Sequence, residues 1–340
     1  MIDFDSLNTA FEKNSFYSLQ LEAGDICCQG CRYCYMNALP VERNNLSDDQ
    51  IFSVLDDAGE IGITAVEWLG GEPLLRKSIL DLMNYSRKMG LRNNLWTGGL
   101  PLKDQTIREK VIQLCQNGLI SVHVSSVTPE IYKKLHPDNP VDNLHEIIEA
   151  VEAMLQAGYP PSQLLNSVTF TGLQPAEDMI KTIDFFEENF GMATSLNVYH
   201  TYLRPEEKDE ELEKYIPRKS EVVKVYKRYA RQLGMKEVPM NCVDKKYCSA
   251  TLALLYDGRI TPCATIRPLD APKLGLDGSL QEIAEKNKNE LLFAKFKEPD
   301  NLPDSCQSCH LSDVCWGCRS RAYAAGMGVY GPDPRCFRNV

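Results

Sequence analysis

The sequence has no apolar run approaching the ~20 residues that a membrane-spanning helix needs, which argues against a membrane protein. It has no block of lysine and arginine, and its formal net charge is −10. Binding to a phosphate backbone rests on a basic stripe that displaces counterions, so nucleic acid is not the expected partner. The start of the chain lacks a charged-then-apolar leader pattern. The expected site of action is therefore the cytoplasm, where thiols stay reduced. That changes the meaning of what is abundant, namely 13 cysteines in 340 residues. In a reducing compartment, closely spaced cysteines bind metal or do redox chemistry more often than they form disulfides. The remaining composition, 43% hydrophobic and 25% charged, is that of an ordinary globular protein. The length suits one large domain or two smaller ones.

The cysteines are uneven. Cys27, Cys28, Cys31 and Cys34 stand in CCQGCRYCYM, Cys115 stands alone, and eight more run from Cys242 to Cys336. The thiol-poor middle reads as repeated strand–helix units. SFYSLQLE is the first predicted strand. Strands follow at TAVEWL (64–69), NNLWT, LISVHVSSV, LLNSVTFT and TSLNVYHTY, with helical patterns at 75–89, near 103–116, near 142–156 and at 175–189. Ser47 with Gln50 three residues on is a capping box, and Ile51, Val54 and Leu55 then give helical spacing. Such alternation implies a parallel sheet with right-handed crossovers. Six units are fewer than the eight of a closed barrel, so the expected fold is α/β with an open partial (β/α)6 barrel. The charged stretch 205–238 reads as solvated linking helices. It divides a core at 1–204 from a cysteine-rich part at 239–340.

Two spacings overlap in the first cysteine cluster. Cys28, Cys31 and Cys34 read C-x2-C-x2-C, which is ferredoxin-like, but the fourth cysteine followed by proline is missing nearby. Cys27, Cys31 and Cys34 read C-x3-C-x2-C, with an aromatic, Tyr33, before the last cysteine. This resembles the radical SAM superfamily. The resemblance implies three thiolates on three irons of a [4Fe–4S] cluster, leaving the fourth iron open to S-adenosylmethionine (SAM). Reductive cleavage of SAM then releases a 5′-deoxyadenosyl radical, the cofactors carrying the hard chemistry. Gly70-Gly71-Glu72-Pro73, directly after the second predicted strand, is similar to the superfamily's GGE motif. By that likeness Glu72 faces the SAM amino group, and the bare glycine backbone allows close approach. A strand-ending turn is the alternative for GGEP taken alone. Ser125 sits where related enzymes carry a cofactor-contacting serine; a strand hydroxyl satisfied by backbone is the competing reading. Thr97-Gly98-Gly99 stands where relatives often have T-N-G.

The C-terminal cysteines resemble those of the SPASM domain, which carries two auxiliary clusters in radical SAM enzymes. The likeness assigns Cys242, Cys248, Cys263 and Cys318 to one cluster and Cys306, Cys309, Cys315 and Cys336 to the other. The gap before Cys318 is two residues where three are usual. The cofactors implied are three [4Fe–4S] clusters and SAM, with electrons from a donor such as flavodoxin or ferredoxin. A pair of structural zinc sites is the alternative. Cys115 is expected in the core and Cys28 beside the cluster loop.

Two fully ligated clusters favour two fates of the substrate radical, loss of an electron to a cluster (net oxidation) or coupling to a neighbouring group (a crosslink), over the return of hydrogen. The tail GCRSRAYAAGMGVYGPDPRCF is similar to SPASM enzymes of alternative haem biosynthesis, which implies a small molecule such as a tetrapyrrole or another metabolite. The alternatives are a peptide or protein maturase (side-chain oxidation, crosslink or epimerisation) and, more remotely, a non-catalytic iron–sulfur electron carrier. Tyr199, His200, Tyr202 and Arg204 end the sixth predicted strand; they are read as aromatics capping the barrel with Arg204 paired to one of the acids that follow it, or, if the substrate bears a carboxylate, with Arg204 as its contact.

Overall fold

The structure, a computed structural model, describes residues 2–42, 45–199, 210–240 and 243–338. Arg204 and Cys242 lie outside the described residues, as do His200 and Tyr202.

Eight strands form one sheet in the order β6-β5-β4-β3-β2-β1-β7-β8. They are β1 (Ser18–Glu22), β2 (Ala65–Leu69), β3 (Arg92–Trp96), β4 (Leu119–Val122), β5 (Leu164–Phe170), β6 (Ala193–Val198), β7 (Thr251–Leu254) and β8 (Ile260–Thr261). β1 to β6 are parallel neighbours in sequence order, as the strand–helix alternation predicts. The crossover helices have sequence-legible causes. Helix Asp48–Glu60 starts at the Ser47–Gln50 capping box, both halves of which form, and buries Ile51, Val54, Leu55 and Ala58 against the sheet. Helix Ala176–Phe190 ends at Gly191, whose φ of +63° a side chain would disfavour.

Three features depart from the sequence reading. β4 ends at Val122, so His123 and Ser125 lie just past its C-terminal end. Helix Lys219–Gln232 is not solvated all round; it buries Val222, Val225, Tyr226 and Ala230 and packs beside helix Ala176–Phe190. The sheet also does not stop at the boundary drawn from composition. β7, from the cysteine-rich part, pairs in parallel with β1, and β8 then turns back antiparallel.

Side chains alternate cleanly on β5 and β6. Val168, Phe170, Leu196 and Val198 are buried against the two helices just named. Ser167, Thr169, Ser195 and Asn197 face the other way, into the barrel, and are only half-buried. Deeper in the barrel lies a buried, hydrogen-bonded carboxylate. Glu67, 3% exposed, accepts from Ser18 Oγ at 3.1 Å, Asn94 Nδ2 at 2.8 Å and Trp96 Nε1 at 2.7 Å.

Candidate active site

The cysteine loop leaves β1 at its C-terminal end, where ligands sit in parallel α/β folds. It is laced to its surroundings by backbone. Cys27 N–H donates to the Leu39 carbonyl at 2.8 Å, Arg32 N–H to Leu135 at 3.2 Å, and Asn139 Nδ2 to the Gln29 carbonyl at 2.7 Å. Cys34 lies close enough for its charge to act on both Cys27 and Cys31, and Cys27 acts on Cys31; Cys28 also acts on Cys27 but is exposed. Burial, with the neighbouring charges adding to it, pushes the Cys27 thiol up to about 12 and holds Cys31 well above its ordinary value. Such sulfurs become thiolates by exchanging their protons for a metal. Three neighbouring half-buried thiols fit a metal cluster.

The GGE segment meets this loop directly. Gly71 N–H donates to the Gly24 carbonyl at 2.9 Å, and Glu72 N–H to the Ile26 carbonyl at 2.7 Å. A Cβ on Gly71 would lie 2.2 Å from the Ile26 oxygen; one on Gly70, whose φ is +132°, would lie 2.4 Å from the Gly24 oxygen. The closeness that the two glycines permit is to the chain's own cysteine loop. Glu72 is 6% exposed. Its carboxylate accepts from Gly98 N–H at 2.7 Å and Leu74 N–H at 3.0 Å, and Thr97 Oγ1 lies 2.8 Å from both oxygens. Burial raises its pKa, and the bonds from Thr97, Leu74 and Gly98 oppose that rise. A carboxylate offers about four acceptor positions. Three donors therefore leave room for one more, which fits an ammonium such as the SAM amino group. Thr97 and Gly98 thus hold the Glu72 carboxylate in place.

Tyr33 is 4% exposed, and its hydroxyl is a hub. It lies 2.7 Å from His123 Nε2, 3.1 Å from Ser125 Oγ and 3.3 Å from His136 Nε2. His136 Nδ1 donates to the Tyr132 carbonyl at 3.2 Å, which leaves Nε2 as an acceptor. Burial lowers the pKa of His123 to about 4 and of His136 to about 3, so both are neutral near pH 7. Ser125 also accepts from Thr169 N–H at 3.1 Å, so its hydroxyl is satisfied within the protein. The histidines were not singled out in the sequence. His123 carried a signal, since it shares the inward phase of Ser121 and Ser125; His136 carried none.

The C-terminal cysteines form two groups. Cys306, Cys309, Cys315 and Cys336 line one cavity, with Met240 and Gly317. Met240 and Gly317 N–H groups each donate to Cys315 Sγ at 3.3 Å, the kind of bond that tunes a cluster thiolate. This donor set fits a four-thiolate metal group. In the other group burial raises the Cys263 thiol, and the charge of Cys318 adds to that rise. Cys318, Cys306 and Cys248 all act on buried Arg319, so this cation stands beside cysteines of both groups. Cys115 is fully buried in the main core.

Residues 21–186 match the family model described as the radical SAM superfamily. An AdoMet-dependent heme synthase of Methanosarcina barkeri is 24% identical over 94% of this chain and 95% of its own length. Among solved structures, anSMEcpe with bound AdoMet and Cp18Cys peptide superposes with a TM-score of 0.68 at 18% identity, covering 95% of this chain and 94% of that one. Streptococcus suis SuiB bound to precursor peptide SuiA superposes at 0.65 with 16% identity, over 98% of this chain and 79% of its own. Among the described residues, no helix is long and apolar enough to cross a membrane. The family match, on this fold and with the cysteine loop hydrogen-bonded to the Glu72 segment, makes the chain a radical SAM superfamily enzyme with a cysteine-rich C-terminal part consistent with a SPASM domain.

Proposed function

We propose that the protein is a radical SAM/SPASM oxidoreductase that oxidises a small molecule, of tetrapyrrole type or another metabolite. The observation that carries the reading is the apposition of the cysteine loop to buried Glu72, above a barrel lumen whose β5–β6 wall presents half-buried Ser167, Thr169, Ser195 and Asn197. The chemistry that the bound group supplies is reductive cleavage of SAM and hydrogen-atom abstraction from the substrate. The chain's residues do the rest. Cys27, Cys31 and Cys34 hold the cluster, and Glu72, fixed by Thr97 and Gly98, orients the SAM ammonium. Tyr33, His123 and His136 pin the cysteine loop to the end of β4. Ser167, Thr169, Ser195 and Asn197 offer the substrate neutral hydrogen-bonding groups, and Arg204 is assigned to a substrate carboxylate. Cys248, Cys263 and Cys318, with Cys242, and the group Cys306, Cys309, Cys315 and Cys336, would hold two further [4Fe–4S] clusters, which would supply an acceptor for an electron from the substrate. A flavodoxin or ferredoxin supplies reducing electrons in the cytoplasm.

The small-molecule reading is supported by the relative named as a heme synthase, which aligns along nearly its whole length. A second reading, peptide or protein modification, is favoured by the peptide-bound structures anSMEcpe and SuiB. The test is an anaerobic incubation of the iron-reconstituted protein with SAM, reductant and either an iron-coproporphyrin or a peptide panel. Mass spectrometry follows 5′-deoxyadenosine and product together. Decarboxylated or dehydrogenated small molecule establishes the first reading; a peptide product with no porphyrin turnover replaces it with the second. No SAM cleavage by fully loaded protein overturns both.

A further inference from the structure

Glu22 is the last residue of β1, and the chain turns into the cysteine loop directly after it. Its carboxylate is 1% exposed. It accepts from Arg267 Nη1 at 2.5 Å and Nη2 at 3.3 Å, from Tyr35 Oη at 3.3 Å and from Tyr256 N–H at 3.0 Å. Arg267, 7% exposed, also donates to the Ala264 carbonyl at 3.0 Å. Its guanidinium lies over the Tyr35 ring at 5.8 Å and the Tyr256 ring at 5.6 Å. Tyr35 follows Cys34 in sequence, and Ala264 follows Cys263. A continuous chain of covalent and polar contacts thus runs from Cys34 through Tyr35, Glu22, Arg267 and Ala264 to Cys263. It joins the core cysteine loop to the first C-terminal cysteine group.

A buried ion pair is an expensive way to hold two segments together, because well-packed apolar side chains do so without desolvating two charges. Here the charges stand between two sites whose thiolates are themselves anionic. While the pair is intact its net charge is zero, so neither site feels an added unit charge. Removing one partner leaves a full charge in a low-dielectric interior beside both sites. The reduction potential of an iron–sulfur group responds to such charge.

We propose that the Glu22–Arg267 pair couples the two cysteine sites electrostatically, fixing their separation and balancing the reduction potentials of the iron–sulfur groups they hold. The inference rests on the reading above that both sites hold such groups. Arg267 and Glu22 are positioning residues, acting through Tyr35 and Ala264. Their effect is a matter of charge and not only of packing, and that is what an experiment can separate. Arginine stays protonated in proteins, so Glu22→Gln leaves a lasting positive charge, which stabilises the reduced, more negative form of a nearby cluster. The double variant Glu22→Gln/Arg267→Met removes both charges.

The experiment is an EPR-monitored redox titration of the reconstituted full-length protein, with iron counted in every sample. Glu22→Gln raises the potentials of the core cluster and of the adjacent C-terminal cluster together. Glu22→Gln/Arg267→Met returns both towards the wild-type values, and Arg267→Lys, which keeps the charge, leaves them in place. A double variant further from wild type than the single one marks a packing effect and overturns the inference, as does an unshifted Glu22→Gln with full iron. If Glu22→Gln fails to fold, the double variant and Arg267→Lys decide: a shift in either overturns it. Iron confined to the core site of the wild-type protein overturns the two-site reading itself, and the coupling falls with it.

Discussion

Gly71→Ala tests the packing of the GGE segment on the cysteine loop most directly. The added Cβ would stand 2.2 Å from the Ile26 oxygen, 2.7 Å from its carbon and 3.1 Å from the Asp25 carbon. All three are backbone atoms, so no rotamer change relieves the contact. The loop has to retreat by roughly 1 Å, and overpacking of this kind costs about 1–3 kcal/mol. That retreat also breaks the Gly71–Gly24 and Glu72–Ile26 backbone bonds, each worth about 0.5–1.5 kcal/mol. The sum is about 2–6 kcal/mol, a large share of a stability of about 5–15 kcal/mol. Gly59→Ala is the internal control. Gly59 lies in helix Asp48–Glu60 with nothing within 4 Å of its would-be Cβ, and the substitution stabilises by about 0.4–1 kcal/mol. Anaerobic urea denaturation measures both, and iron content and SAM binding are measured on the folded fraction. Gly71→Ala loses stability, iron and SAM affinity together. A Gly71→Ala protein as stable and as iron-loaded as wild type would refute the argument that these glycines exist for contact with the cysteine loop.

Other outcomes follow from the same geometry. Glu72→Gln keeps the shape but loses the charge-assisted contact to an ammonium, worth about 1.5–3 kcal/mol, so SAM affinity measured by equilibrium dialysis falls roughly 10- to 150-fold. Because burial raises the Glu72 pKa above its ordinary 4.5, SAM binding also weakens on acidification at a pH where an exposed glutamate would still be charged, and this pH dependence disappears in Glu72→Gln. Asp333, buried, is held below its ordinary 3.8 by Arg321 and backbone N–H groups that overcome desolvation. Its contribution is complete above that value and is lost as the pH falls through the lowered pKa; Asp333→Ala forfeits about 3–5 kcal/mol at neutral pH, read by denaturation. Cys248→Ala retains SAM cleavage but fails to complete the oxidised product, seen in a paired assay of 5′-deoxyadenosine and product. Full product from a variant lacking that cluster would move the chemistry towards a redox-neutral reaction.

What the sequence made legible was local or periodic. The Ser47–Gln50 box and the six strand–helix units rest on spacings of a few residues, and each has its counterpart in the structure. β7 was not legible. TLAL is too short to distinguish from any buried apolar run, and nothing in its own residues records that its partner is β1. In the charged stretch, composition conceals a periodic apolar face: Val222, Val225 and Tyr226 lie on one side of helix Lys219–Gln232 amid its lysines. At the site, cysteine spacing led to Cys27, Cys31 and Cys34, but spacing is silent about residues that meet only in space. His136 reaches Tyr33 from a separate helix, and Arg267 reaches Glu22 across most of the chain.

The place of β1 between β2 and β7 has a consequence for how the protein is made. β2 emerges soon after β1 and can pair at once, but the other edge of β1 stays open until Thr251–Leu254 has been synthesised. At about 5–20 residues per second, that interval is on the order of 10–50 s. For its duration the nascent chain carries an unpaired parallel edge, the feature that natural sheets cover to avoid joining other chains. Oxygen is one hazard for a chain whose thiols await iron, and self-association through this edge is another. Chains halted before Thr251 would therefore collect in aggregates, while completed chains close the edge themselves.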